Sequence, residues 1–109
     1  MSETESNSQF EVKLIMTWNI RREKEQEYFN FLVRQFVPKM NLLGFELSDA
    51  WASIYGDVPQ VMICALLPDE YEAEQRLAKA EWLTLLENLQ TYVEDFEMKL
   101  VNAKPGFQF

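Results

Sequence analysis

From Phe10 to Ile20 the chain alternates without a break. Phe10, Val12, Leu14, Met16, Trp18 and Ile20 take one parity, and Glu11, Lys13, Ile15, Thr17 and Asn19 take the other. Period two over that length is a β-strand with one wholly apolar face. Such a strand needs partners at its edges and a cover for its apolar side. The pattern then changes. Arg21 to Gln26 is polar and helix-forming, and Tyr28, Phe29, Leu32, Val33, Phe36, Val37 and Met40 follow at helical spacing as a core-facing stripe. Pro38 predicts a kink or an end near Val37, and Gly44 predicts the stop.

Phe45 to Tyr55 reads as a second strand. Phe45, Leu47, Asp49, Trp51, Ser53 and Tyr55 share one face, and Ala50, Ala52 and Ile54 the other. Gly56-Asp57-Val58-Pro59 predicts a turn and Gln60 to Leu67 a β-branched strand, together an antiparallel hairpin. Asp69 is placed to cap a helix, with Glu72 three residues on. The helical pattern runs to about Val93, with Trp82, Leu85, Leu86, Leu89 and Val93 as its stripe and a break near Lys79 to Glu81. Phe96, Met98 and Leu100 then alternate with Asp95, Glu97, Lys99 and Val101 as a fourth strand.

Strand, helix, strand, strand, helix, strand is the ferredoxin-like βαββαβ plan, an α+β fold. Its two crossovers place both helices on one face of a four-stranded antiparallel sheet. The other face collects Ile15, Thr17, Asn19, Leu47, Asp49, Trp51, Ser53, Tyr55, Glu97, Lys99 and Val101. Pairing across the turn adds Met62, Cys64 and Leu66. That surface is too apolar for water and too polar for an ordinary core, so it predicts an interface or a ligand groove. Two such sheets packed face to face make a homodimer. The expected organisation is a single domain over 10–103, with tails at 1–9 and 104–109.

Composition narrows the function. The 109 residues hold 18 Asp and Glu against 10 Lys and Arg, a net charge of −8. An acidic chain repels phosphate backbones, which argues against nucleic acid as a partner. No apolar run reaches the roughly 18 residues of a membrane span. The polar, acidic start from Met1 to Gln9 does not read as a leader, so the expected location is cytoplasmic. The chain has no His and one Cys, Cys64. Zinc sites of thiolates and imidazoles, Ser-His-Asp triads and Cys-His pairs therefore cannot be built. Three glycines, Gly44, Gly56 and Gly106, make no phosphate-binding loop. No metal and no cofactor is expected. The acidic run Glu70, Glu72, Glu74 and Glu81 reads as a solvated helix face, and Cys64 as a small buried hydrophobe.

The run Thr17-Trp18-Asn19-Ile20 before a charged turn and Tyr28, with Glu81-Trp82-Leu83 ahead of Tyr92-Val93, resembles the dimeric α+β barrel superfamily. Its members include NIPSNAP-type proteins and the small antibiotic-biosynthesis monooxygenases. The resemblance spans roughly Phe10 to Val101. It implies a homodimer whose two sheets form a shared barrel, with a pocket between each sheet and its helices. Haem-degrading members use an Asn, a Trp and a His. Trp82 matches the Trp, Asn19 lies near the end of the first strand, and Tyr92 stands about where the His would be. With no His in the chain, that activity does not carry over.

The candidate ligand-binding residues are Asn19, Asp49, Trp51, Tyr55, Trp82 and Tyr92. Asp49, Trp51 and Tyr55 alternate on one strand, where successive same-side residues stand about 6–7 Å apart. That arrangement suits a planar ring against the aromatics with a carboxylate at its edge. A carboxylate buried among aromatics serves as an acid or base; one paired with Lys13 or Lys99 is structural. Two functions follow. The first is a dimeric barrel binding a small apolar or aromatic molecule. The second is a cofactor-free monooxygenase or isomerase for an aromatic or polyketide-like substrate, with Asp49, Tyr55 or Tyr92 as acid or base.

Overall fold

The computed structural model describes residues 10–55 and 58–103, with the side chains of 54, 55, 58 and 59 excepted. The tails at 1–9 and 104–109 and the expected turn residues Gly56 and Asp57 lie outside the described residues. In chain order come β1 (Val12–Ile20), a 3₁₀ turn (Arg22–Lys24), α1 (Glu25–Phe31), a π-helical segment (Leu32–Phe36) and α2 (Val37–Leu42). Then follow β2 (Glu46–Tyr55), β3 (Val58–Leu67), α3 (Glu70–Leu77), α4 (Ala80–Leu89) and β4 (Val93–Asn102). The four strands form one antiparallel sheet in the order β2-β3-β1-β4, the ferredoxin-like arrangement the element order demands.

The inner face of β1 is as its alternation dictates. Leu14, Met16, Trp18 and Ile20 are buried, and the residues between them are partly exposed. Trp18 anchors the core. Its ring stacks on Phe96 at 6.0 Å and meets Phe36 and Tyr28 edge-on at 5.9 and 6.5 Å, favoured geometries for aromatic pairs. Its indole Nε1 donates to Tyr28 Oη at 3.0 Å. Asp69 caps α3 by accepting from the Glu72 amide at 2.8 Å. The second helical run breaks between Leu77 and Ala80, near the expected place, but it ends at Leu89, and Val93 opens β4. Gly44 ends the first run at φ +93, backbone that a side chain strains. Its carbonyl accepts from the Arg76 guanidinium, whose Nη1 a Cβ at this position would meet at 2.8 Å and have to displace.

Two insertions correct the expected faces. The first run does not stop at Pro38 but continues to Leu42. Pro38 lacks an amide proton, and its ring crowds the carbonyl four residues back. The wider π-helical turn just before it relieves that crowding by adding a residue. The buried positions are consequently Tyr28, Phe31, Phe36 and Met40, with the middle pair five positions apart rather than four. Phe31 is core, whereas Phe29 (52%) and Val33 (67%) are exposed. In β2 the pairing slips between Leu47 and Asp49, a bulge that admits Ser48 as an extra residue. The bulge inverts the parity. Phe45 is buried in the core and Leu47 packs against it, while Asp49 and Trp51 stay on the helix-free face.

The Trp18–Tyr28 bond sets a pH dependence. Burial pushes the Tyr28 phenol up to about 12, against the lowering effect of the Trp18 hydrogen bond. A pKa raised on folding favours the folded state fully below the unfolded value near 10. The advantage is lost as pH climbs from about 10 to about 12. Two pH units correspond to about 2–3 kcal/mol. Urea unfolding from pH 8 to pH 12 is expected to show that loss in the native chain. Tyr28→Phe should start about 1 kcal/mol less stable, because the Trp18 N–H loses its acceptor, and should then decline less steeply. Parallel pH profiles for the two proteins would refute the assignment.

Candidate functional site

The helix-free face is built from four cross-strand rows fixed by the register. They run Glu46–Leu66–Lys13–Val101, Asp49–Cys64–Ile15–Lys99, Trp51–Met62–Thr17–Glu97 and Ser53–Gln60–Asn19–Glu94. Across β3 and β1 the middle rows place Cys64 beside Ile15 and Met62 beside Thr17; Ile15 and Met62 are half-buried, as is Leu66 in the first row. Trp51 on the edge strand is 46% exposed. The last row is polar. There Asn19 Nδ2 donates to Asp95 Oδ2 at 2.9 Å. Asp95 sits at φ 57, where the β1–β4 register shifts between Thr17 and Asn19, a left-handed conformation that Asp tolerates better than most residues. Arg21 pairs loosely with Glu94 at 3.7 Å.

Asp49 is not buried among aromatics. Its carboxylate accepts from Lys13 Nζ at 3.3 Å, reaching over the intervening β3, and 56% of its side chain is in solvent. Ser48 Oγ lies 3.5 Å from the same oxygen. Lys13 is one of the two lysine partners expected for a paired, structural Asp49. Cys64, beneath the pair, is buried. Burial raises its thiol pKa; Lys13 opposes that shift and Asp49 adds to it. A thiol held protonated is a poor nucleophile.

Trp82 and Tyr92 lie on the opposite side of the sheet. Trp82 is fully buried on α4, its ring 4.6 Å from Phe45 and 6.2 Å from Phe36. Tyr92, between α4 and β4, packs on Phe31 at 5.1 Å. The sheet thus separates the candidates. Asn19, Asp49 and Trp51 share the open face, Trp82 and Tyr92 belong to the helix side, and the Tyr55 side chain lies outside the described residues. Aromatic rings fill the helix side around Trp18, Phe36 and Trp82, where the resemblance implied a pocket. Sequence reasoning missed Asp95 as the partner of Asn19. Nothing in the alternation announces a left-handed aspartate at a bulge. Among the described residues no three His, Cys, Asp or Glu side chains converge as metal ligands, and no helix is long and apolar enough to cross a membrane.

No protein-family model matches the sequence, and no curated protein matches it either. Solved structures do. A NIPSNAP family protein from Agrobacterium tumefaciens superposes with a TM-score of 0.69 at 17% identity over 89% of each chain. A NIPSNAP domain protein from Burkholderia xenovorans gives 0.62 at 16% identity, covering 83% of this chain and 91% of its own. An antibiotic biosynthesis monooxygenase gives 0.63 at 18% identity, covering 86% of this chain and 99% of its own. The class is therefore a single α+β unit with one open sheet face. More particularly, it has the ferredoxin-like fold of NIPSNAP-type and antibiotic-biosynthesis-monooxygenase-like proteins, as the sequence resemblance implied.

Proposed function

We propose that the protein works as a homodimer, two open sheet faces closed on one another as a shared barrel, and that it holds a small apolar or aromatic molecule beside Trp51. The observation that carries this is the open face itself. It presents a Trp that is 46% exposed next to half-buried Ile15, Met62 and Leu66, with no helix of its own to cover them. Water contact with so much apolar surface costs about 25 cal/mol per Å², and a symmetric partner removes it. Binding is favoured over acid–base chemistry because no charged side chain among the described residues is buried. A carboxylate in solvent lacks the desolvation that tunes catalytic groups.

Light scattering at micromolar concentration is expected to return twice the chain mass of 12.9 kDa. Titration with a panel of phenols and quinones is expected to quench Trp fluorescence, and Trp51→Phe should remove most of that change. A monomer mass overturns the dimer. An absence of quenching by the whole panel overturns the ligand.

A further inference from the structure

Most charges of the open sheet face are already matched within the protomer. Lys13 holds Asp49, Arg21 meets Glu94, and Asn19 donates to Asp95. Glu46, Glu97 and Lys99 remain. Among the described residues none of these three makes an ion pair or a side-chain hydrogen bond. Glu97 and Lys99 stand two positions apart on the edge strand β4, in the two middle rows, and so project to the same side about 6–7 Å from each other. Glu46 is exposed in the first row, at a corner of the sheet.

Closing this face on a second copy allows few geometries. Packed sheets lie about 10 Å apart and keep their strands within about 30° of one another. A two-fold axis between them therefore runs either along the strands or across them. An axis along the strands sets each row on the same row of its copy, with β4 over β2. Lys99 then meets the partner's Asp49, which Lys13 already holds, and Glu97 is shut beneath the partner's Trp51 with no cation. An axis across the strands, centred on the face, sets β4 on β4 and exchanges the two middle rows. Lys99 then meets the partner's Glu97, and Glu97 meets the partner's Lys99. Only Glu46 is left over, at a corner open to water. A charge enclosed without a partner is costly, so the second arrangement is favoured.

Resting on the reading of this face as a dimer interface, we infer that the two-fold axis crosses the strands and that Glu97 and Lys99 of β4 pair reciprocally with the partner's Lys99 and the partner's Glu97. The four charges alternate in sign around the axis. They supply a local attraction between copies that each carry a net charge of −8 and repel at long range. Apolar area around Trp51 gives the interface its driving force, and β4 selects its orientation.

The test uses two variants that each carry a single sign at both positions, Lys99→Glu and Glu97→Lys. Both positions are exposed in the protomer, and both variants should keep the fold by circular dichroism. Alone, each sets four like charges around the axis, and its dimer dissociation constant is expected to rise at least about tenfold. Mixed, the two should form a heterodimer at the expense of both homodimers, read by native mass spectrometry with one protein ¹⁵N-labelled. Glu46→Lys is the control. It has the same net charge as Glu97→Lys, but its new lysine lies at the corner, so its mixture with Lys99→Glu should show no excess of heterodimer. A native chain that is dimeric while the Lys99→Glu and Glu97→Lys mixture stays statistical, or pairs no better than the control, overturns the axis and leaves the dimer standing. An effect of Lys99→Glu with none of Glu97→Lys points to the axis along the strands and also overturns the inference. A native chain that is monomeric at micromolar concentration removes the dimer and this pairing together.

Discussion

Replacing Trp18 with Ala is expected to cost the fold about 3–5 kcal/mol, as for other buried Trp truncations, and to move the urea midpoint down by roughly 2 M. Trp18 is fully buried on the central strand β1, stacked on Phe96 from β4 and edge-on to Phe36 and Tyr28 of the first helical run. Its removal opens a cavity bounded by three elements that cannot all move inward at once, because β1 and β4 are tied by their ladder. It also leaves the buried Tyr28 hydroxyl without its donor. A domain of this length has a total stability of roughly 5–15 kcal/mol, so the variant should be marginal. Trp18→Phe separates the contributions. It keeps most of the ring contact and loses the N–H···O bond, and is expected to cost about 1–2 kcal/mol. A midpoint unchanged by Trp18→Ala would mean that the aromatic cluster is not the keystone of this core.

Trp18 was also among the most legible residues of the chain, and the reason shows what a sequence can disclose. Where one residue in the sequence adds one residue to a regular element, periodicity converts directly into sidedness. That holds along the whole of β1, at the Asp69 cap and at the Gly44 stop, each a local rule satisfied by local chemistry. It fails where the backbone takes in an extra residue. The π-helical turn before Pro38 moved Phe31 into the core and left Phe29 and Val33 outside. The Ser48 bulge drew Phe45 and Leu47 to the helix side although their parity matched Trp51. Pro38 signals a disturbance of the first run but not that an added residue absorbs it, and the alternation of β2 carries no sign of the bulge at Ser48. The candidate site suffered differently. Trp51 on the helix-free face and Trp82 on a helix stripe were legible as opposite sides of the sheet, but the Lys13–Asp49 pair across β3 depends on the register of three strands.

That separation gives assembly and folding different handles. Trp51→Ala is expected to raise the dimer dissociation constant by about thirty- to seven-hundredfold, the equivalent of roughly 2–4 kcal/mol for an aromatic lost from an interface centre. It should leave the stability of the isolated protomer nearly unchanged, because Trp51 is already 46% exposed there and makes no ring contact among the described residues. Phe31→Ala should do the reverse. Phe31 is buried against Phe36 and Tyr92, on the far side of the sheet. Its loss is expected to cost the fold about 3–5 kcal/mol, with little effect on the association of whatever remains folded. Phe29→Ala, at an exposed helix position, should alter neither. Sedimentation of the three variants across a dilution series, paired with urea unfolding of each, separates these outcomes. If Trp51→Ala and Phe29→Ala dissociate at the same concentration as the native chain, the open sheet face is not the dimer interface. If Trp51→Ala instead lowers the unfolding midpoint as far as Phe31→Ala does, Trp51 belongs to the core of the protomer and the open face is not open.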